Sequence, residues 1–447
     1  MNFLADLVIR DARLVLPRGI VRGSLAIKDE RISKIARTGL PKGDREINAN
    51  GKILMPGVID VHAHIYDPQY LHREDFRHGT VAAAAGGVTC VIVMPLDTPV
   101  LAPKEIRKTI AIGNKTSLVD FTLHAGNMTV DAIKQIHAIA ALGVKSFKAF
   151  TCAPYHLYGA AMKEMMKVIN RAKSVAFIHA EDDEILWEQT KRLHADRRND
   201  PLAHIEAHPS VAEVKAVERV ISYARQTRCR LHIAHITTRE GAKLVARAKA
   251  RRDRVSAEVC PHHLFFTEND VRKLGPYLRF NPPPRSKRDT TALWTALAKG
   301  TLDIVASDHA PGTRKEKEVG WKNLWKAQIG IPEIETMLPM MFSEGFVKRR
   351  LSLERLVDAM CTSPAKIFGL YPRKGAIREG ADADLVLIDP KKHAVIKASK
   401  LHYKTGWTPY EGWKVRGMPT TTISRGTVIA EDEKVIGKAG RGKFLAR

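Results

Sequence analysis

The chain has 447 residues, of which 44% are hydrophobic and 27% charged, which provides for a large core and excludes a disordered chain. Its net charge of +25, from 73 Lys and Arg against 48 Asp and Glu, would suit an anionic partner. The basic residues are spread along the chain, however, with only small clusters such as KRR at 348–350 and the tail KAGRGKFLAR, and no basic stripe interleaves with aromatics, so no nucleic-acid partner is expected.

The N-terminal stretch MNFLADLVIRDARLVL carries Asp6, Arg10, Asp11 and Arg13 within its apolar run, a charge density that neither a signal peptide nor a membrane span tolerates. The five cysteines are scattered and form no CxxC pair, which fits buried thiols in a reducing compartment. Both features point to a cytoplasmic protein without a membrane partner. Residues 1–55 read as short strands, ADLVIRDARLVL, GSLAIKDERISKIA and GKILMPG, punctuated by Gly, Pro and charged residues.

Residues 56–365 alternate between strand and helix patterns. The strand candidates are VIDVHAH, VTCVIVMP, VDFTLHAG, VKSFKAF, VAFIHAE, CRLHIAHI, RVSAEVCPH and LDIVASDHAP, with helix-like segments such as DFRHGTVAAAAGG and REGAKLVARAKARR between them. That alternation implies a parallel sheet, and eight repeats imply a (β/α)8 TIM-like barrel. Two helical stretches, IPEIETMLPMMFSEG and SLERLVDAMCTSPAKIFGL, follow the last strand. Residues 366–447 return to strands, DADLVLIDP, TTTISRGTVIA and EKVIG. The two β-rich ends are expected to meet as one small β-sandwich beside the barrel.

Potential metal ligands stand at the carboxyl ends of these strands, the face on which barrel enzymes build their sites. His62 and His64 are two apart, so period two places both on one face, with Val61 and Ala63 expected to point outward. His179 and His235 each end an apolar run. His232, three residues before His235, competes with it but is expected deeper and on the other face. Asp308 follows IVAS and is a candidate both for metal binding and for accepting a proton from water. Imidazoles and a carboxylate suit zinc or a similar divalent ion. Lys148 is the odd member: a protonated lysine repels a metal, and its reference pKa is about 10.4. It either pairs with a buried acid or is converted into an anion. Lys145 is an alternative, but odd spacing puts it on the opposite face.

GVIDVHAH, AAAAGGVT, SFKAF, HAE, HIAH, EVCPHH, PPPR, ASDHAP and TPYEGWKVRG together resemble the cyclic amidohydrolases, the branch of the amidohydrolase superfamily that holds allantoinase, dihydropyrimidinase (hydantoinase) and dihydroorotase. The resemblance runs from about residue 50 to the C-terminus. It implies two divalent metal ions, with zinc the expected metal, bridged by a carboxylated Lys148. It assigns His62, His64 and Asp308 to one ion and His179 and His235 to the other. It further implies hydrolysis of a small cyclic ureide or imide, and a homo-oligomer, dimer or tetramer. Some relatives have lost ligands and serve as scaffolds; here all six ligand positions are intact.

Several positions bear on the substrate. Dihydroorotases carry an arginine where Tyr66 stands and an asparagine where Leu96 stands, followed here by Asp97; Arg73 is a nearby substitute. The histidine that often follows DHAP is replaced by Gly312. Asn281 in the NPPPR motif, Tyr66 and, more weakly, His262 are candidate substrate contacts. NPPPR and DHAP lean towards dihydroorotase. SFKAF, GWKNLWKAQIGIPEIETMLPMM and the closing GKFLAR lean towards allantoinase. The balance favours a neutral ureide, allantoin first, then dihydroorotate, then hydantoin or another cyclic imide.

Overall fold

The structure, a computed structural model, describes residues 4–95 and 101–447. Leu96 and Asp97 lie outside the described residues. All eight strand candidates of the middle region contain strands: β6 Val58–Ala63, β7 Val88–Val93, β8 Asp120–Leu123, β9 Ser146–Phe150, β10 Val175–His179, β11 Arg230–Ile233, β12 Val255–Val259 and β13 Ile304–Val305. They form two parallel sheets, ordered β6-β7-β8 and β13-β12-β11-β10-β9. Single parallel bridges, Ala125–Phe147 and Ala63–His309, join the ends of the two sheets. Their strands are buried along nearly their whole length, as parallel strands covered on both faces are.

Helices follow most strands. Phe76–Ala85 starts at Asp75, whose side chain accepts from the His78 amide, and Arg239–Ala250 starts at Thr238, which accepts from Gly241; such caps satisfy otherwise orphaned donors. The helix Asp183–Ala195 is absent from the pattern-based reading because only Leu193 among its residues is fully buried, leaving little apolar periodicity to detect. The two stretches after β13 are helical but interrupted by π turns at Phe342–Val347 and Asp358–Thr362.

The chain ends do meet. β1 Ala5–Leu16, β2 Gly19–Lys28, β3 Arg31–Ala36, β4 Gly43–Asn48 and β5 Ile53–Pro56 join β14 Leu385–Val395, β15 Lys414–Ser424, β16 Thr427–Glu431 and β17 Lys434–Val435 in one nine-stranded mixed sheet. The joint is β5 against β14, antiparallel, with Leu54 opposite Leu387. One apolar cluster draws Leu7, Leu25 and Ile32 from the first part together with Leu385, Ile423 and Val428 from the last. Gly57 carries the chain from this sheet into β6. A Cβ there would overlap the Thr89 side chain, so only glycine permits the close approach.

Among the described residues no helix is long and apolar enough to cross a membrane. All five cysteines are buried and unpaired.

Candidate metal centre

His62, His64, Lys148, His179, His235 and Asp308 all line one cavity of about 400 Å³ at the carboxyl ends of the parallel strands. Asp308 Oδ1 lies 3.0 Å from His62 Nε2 and 3.3 Å from His64 Nε2. His179 Nδ1 lies 3.0 Å from His235 Nε2, and the His62 and His235 rings are 5.6 Å apart. Lys148 Nζ lies 4.7 Å from the centre of the Phe150 ring and 4.8 Å from that of Phe177, with no carboxylate bonded to it among the described residues. The alternative of a buried lysine paired with an acid is thereby set aside.

The outer nitrogens decide what the inner ones offer. His62 Nδ1 donates to Glu258 at 2.5 Å, and His179 Nε2 donates to Glu181 at 2.9 Å. With the outer nitrogens engaged, His62 Nε2 and His179 Nδ1 are the ring positions turned inward, towards Asp308 and His235. Imidazole nitrogens and a carboxylate converging in one cavity are the donor set that borderline divalent ions take. A tetrahedral ion with bonds of about 2.1 Å holds its donor atoms roughly 3.4 Å apart, close to the 3.0 and 3.3 Å seen here. Donor chemistry and spacing both fit divalent metal.

Burial sets the protonation states. It pushes His64 down to about 4, against the pull of Asp308, and lowers His179 and His235 as well, so these rings are neutral, the form in which imidazole can bind metal. Burial likewise pushes Lys148 down to about 8, with Asp308 and Glu258 opposing. For Asp308 burial acts upward, but His62, His64 and His235 together hold the carboxyl well below its usual range. His235 and Asp308 have φ of 25° and 47°, left-handed torsions that cost non-glycine residues energy and gather at functional sites.

Two expectations about direction need correction. Val61 does not point out towards the helices: it shares a buried cluster with Ile59, Ile92 and Phe177, whereas Ala63 packs in the outer cluster. The pairing of β6 with β7 shifts between Asp60 and Ala63, so strict alternation fails at this strand end. His232 is buried beneath the site, as expected in depth, but on the same side as His235. Its Nε2 donates to Glu258 at 3.1 Å, and its ring lies 4.8 Å from Phe177. The left-handed turn at His235 cancels the odd spacing.

Of the candidate substrate contacts, Asn281 lines the cavity; Tyr66 and His262 do not. Tyr66 is buried beside Tyr70 and Arg73. His262 is fully buried, donating to Glu333 at 2.7 Å with its ring against Phe280. Arg73 does line the cavity, held by Glu316 at 2.9 Å. The sequence reading assigned no role to Glu258 or Glu181, though each was visible: a carboxylate inside the apolar strand VSAEV and another directly after VAFIHA. Asn127, Arg279, Gln328 and Trp325 also line the cavity and carry no comparable signal.

The Amidohydrolase family model matches residues 53–429. The chain is 35% identical to a dihydroorotase of Pyrococcus furiosus over 98% of this chain and 96% of that one. It is 33% identical to an allantoinase of Rubrobacter xylanophilus over 98% and 97%. The solved structure of an L-hydantoinase (dihydropyrimidinase) from Arthrobacter aurescens superposes with a TM-score of 0.96 at 33% identity, covering 99% of this chain and all of that one. Fold, site and full-length similarity agree: the chain belongs to the amidohydrolase family, in the cyclic amidohydrolase branch, and is an enzyme of the hydrolase class.

Proposed function

We propose that this enzyme opens a neutral five-membered cyclic ureide, a hydantoin-type ring such as that of allantoin, at a binuclear metal centre. The observation that carries the reading is the state of the cations in the cavity wall. Arg73 is paired with Glu316, whereas among the described residues the Arg279 side chain bonds only the carbonyls of Leu324 and Ala327, so the reading rests on Arg73. A substrate carboxylate would need a charge-assisted partner worth roughly 1.5–3 kcal/mol; a neutral ring would not.

His62, His64 and Asp308 would hold one ion, His179 and His235 the other. Lys148, carboxylated when its neutral amine adds to carbon dioxide with loss of one proton, would join them. Bound metal supplies Lewis acidity, polarising the ring carbonyl and making water acidic enough to attack it. Glu258 and Glu181 orient the ligand rings, as carboxylates behind metal-binding histidines do. Asp308 Oδ takes a proton from the attacking water and returns it to the ring nitrogen as the C–N bond breaks. The products are a ureido group and a carboxylic acid, which ionises to the carboxylate by releasing the second proton of the water to solvent. Asn281 offers a polar contact to the ring.

For the architecture, we read the two parallel sheets as one (β/α)8 barrel over residues 56–365, closed at the Ala63–His309 and Ala125–Phe147 bridges. Segments 1–55 and 366–447 form the accompanying sandwich.

The test compares kcat/KM for allantoin, hydantoin, dihydrouracil and dihydroorotate at ~0.15 M salt, where long-range attraction by the net charge is screened, with metal counted per chain. The expected result is about two divalent ions per chain, since six ligands exceed one tetrahedral ion, and faster opening of a neutral five-membered ring than of dihydroorotate. A preference for dihydroorotate supports the second reading, favoured by the position of Arg73 in the cavity wall. Full activity with one metal ion or fewer overturns the binuclear centre.

A further inference from the structure

The loop after Asp308 meets the segment around Gln328 across a single glycine. A Cβ at Gly312 would overlap the Gln328 amide oxygen and lie 2.6 Å from Cδ and 2.8 Å from Cγ. The glutamine side chain therefore lies folded over the space that glycine leaves. Its Nε2 donates to the carbonyls of Ala310, at 3.4 Å, and Ile329. Two acceptors at one end fix the amide orientation, because turning it over would set oxygen against oxygen. Its Oε1 is buried and has no hydrogen-bond partner among the described residues.

The backbone here has little room to yield. Lys317 is buried behind the segment, and its Nζ donates to the carbonyls of Arg279 at 2.9 Å, Gln328 at 2.8 Å and Gly330 at 3.0 Å. A Cβ at Gly330 would overlap the Ala310 carbonyl, so the two segments are already in contact. Ala310, Gln328, Ile329 and Gly330 all line the cavity that holds the candidate metal ligands. With the backbone held by Lys317, the movable part of this wall is the Gln328 side chain, and Gly312 decides where it goes.

We propose that Gln328, seated on Gly312, is a specificity-determining residue of the ring-opening reaction, setting how large a substituent on the ring the cavity admits. This rests on the hydantoin-type reading of the substrate. A side chain at position 312 would turn the glutamine out into a cavity of about 400 Å³, already at the small end for ligand sites. Alanine at 328 would remove the amide and widen the wall. The φ of Gly312 is outside the left-handed region, so alanine there suits the backbone and its effect comes from the glutamine contact.

The experiment measures kcat/KM for hydantoin and 5-benzylhydantoin in the wild type, Gln328→Ala, Gly312→Ala and the double variant, with metal content and melting temperature for each. Gln328→Ala should raise the benzyl-to-unsubstituted ratio about tenfold, and Gly312→Ala should lower it about tenfold, the scale on which pocket shape discriminates. The double variant should return to the Gln328→Ala ratio, because the clashing side chain is gone. A uniform loss on both substrates would mark a structural role and overturn the proposal. So would a Gln328→Ala ratio within about twofold of wild type, or a Gly312→Ala deficit that survives in the double variant. If Gly312→Ala does not fold, the Gln328→Ala ratio decides. Turnover of unsubstituted hydantoin by the wild type reads the parent proposal separately, since that ring carries no substituent. Absence of both hydantoin and allantoin turnover sinks the parent reading, whereas an unmoved ratio with hydantoin turned over sinks the glutamine alone.

Discussion

Two buried polar clusters occupy opposite ends of the parallel strands, and each contains a lysine. At the amino ends, Lys374 Nζ lies 2.8 Å from Asp120, 3.1 Å from Asp382 and in contact with Asp384. Arg425 adds bonds to Asp120 at 3.1 Å and Glu30 at 2.6 Å. Burial works against the Lys374 ammonium, but Asp384 and Asp120 hold its pKa above the usual lysine value. At the carboxyl ends, Lys148 faces two phenyl rings and its pKa falls to about 8. There ring nitrogens of four histidines converge with one carboxylate. Asp120, Asp382 and Asp384 are spaced closely enough for a cation, yet Lys374 already supplies one. A cluster whose charges are mutually satisfied serves the fold; one whose donors converge without a partner is shaped for a group from outside.

That contrast can be broken from either side. The largest effect is expected at Asp308. Asp308→Asn removes the proton acceptor and a ligand charge, and turnover should fall about 10²–10⁴-fold while the melting temperature stays near wild type. A variant that binds metal and keeps more than about a tenth of the rate would show that another group moves the proton.

Lys374→Met attacks the other end. It strands Asp120, Asp382 and Asp384 with too little positive charge, and breaking a buried pair from one side costs about 3–5 kcal/mol. Denaturant unfolding should show that loss, with metal content per folded chain unchanged. Metal loss without destabilisation would reverse the assignment of the two clusters.

Glu258→Gln refines the picture at the carboxyl ends. The carboxylate that takes the His62 Nδ1 proton also bonds His232, and weakening such support lowers metal affinity by about 10–100-fold. Competition with a chelator measures it; unchanged affinity would mean that packing against Phe177 alone aims the ring.

The smallest effect belongs to the rim. For Glu316, burial acts upward, but the bonds from Arg73 and Thr313 pull the carboxyl from its usual 4.5 down to about 2. A depressed acid contributes its full stability above pH 4.5 and loses it as pH falls towards 2. The stability difference between wild type and Glu316→Gln should therefore be constant above pH 4.5 and shrink below it. Its size should be under about 1 kcal/mol, because the pair is partly exposed. A difference independent of pH would assign the contact to packing rather than charge.

Much of this was legible from residue order. The eight strands and the six candidate ligand positions were readable because each candidate lies in or just after a short apolar run, a signal contained within a few residues. The union of the chain ends was readable because both are strand-rich and flank one alternating region. Directions were less legible. Val61 and His232 were misplaced because strict alternation fails where β6 shifts register and where His235 turns left-handed. Tyr66 sits near ligand candidates in sequence and His262 follows a strand of the parallel sheet, but their rings pack into walls rather than into the cavity.

Taken by itself, the order of residues determined which elements form and where along the chain the candidate metal ligands stand, because hydrogen-bonding period and apolar patterning act over neighbouring residues. Tertiary structure decided what those side chains face. Glu258 is 196 positions from the His62 ring it orients, and Lys374 is 254 from the Asp120 it neutralises. Lys317 supports a wall drawn from both sides of it in sequence. The strength of each of these contacts depends on distance and burial in the folded chain, quantities that come into being only when strands far apart in sequence pack together.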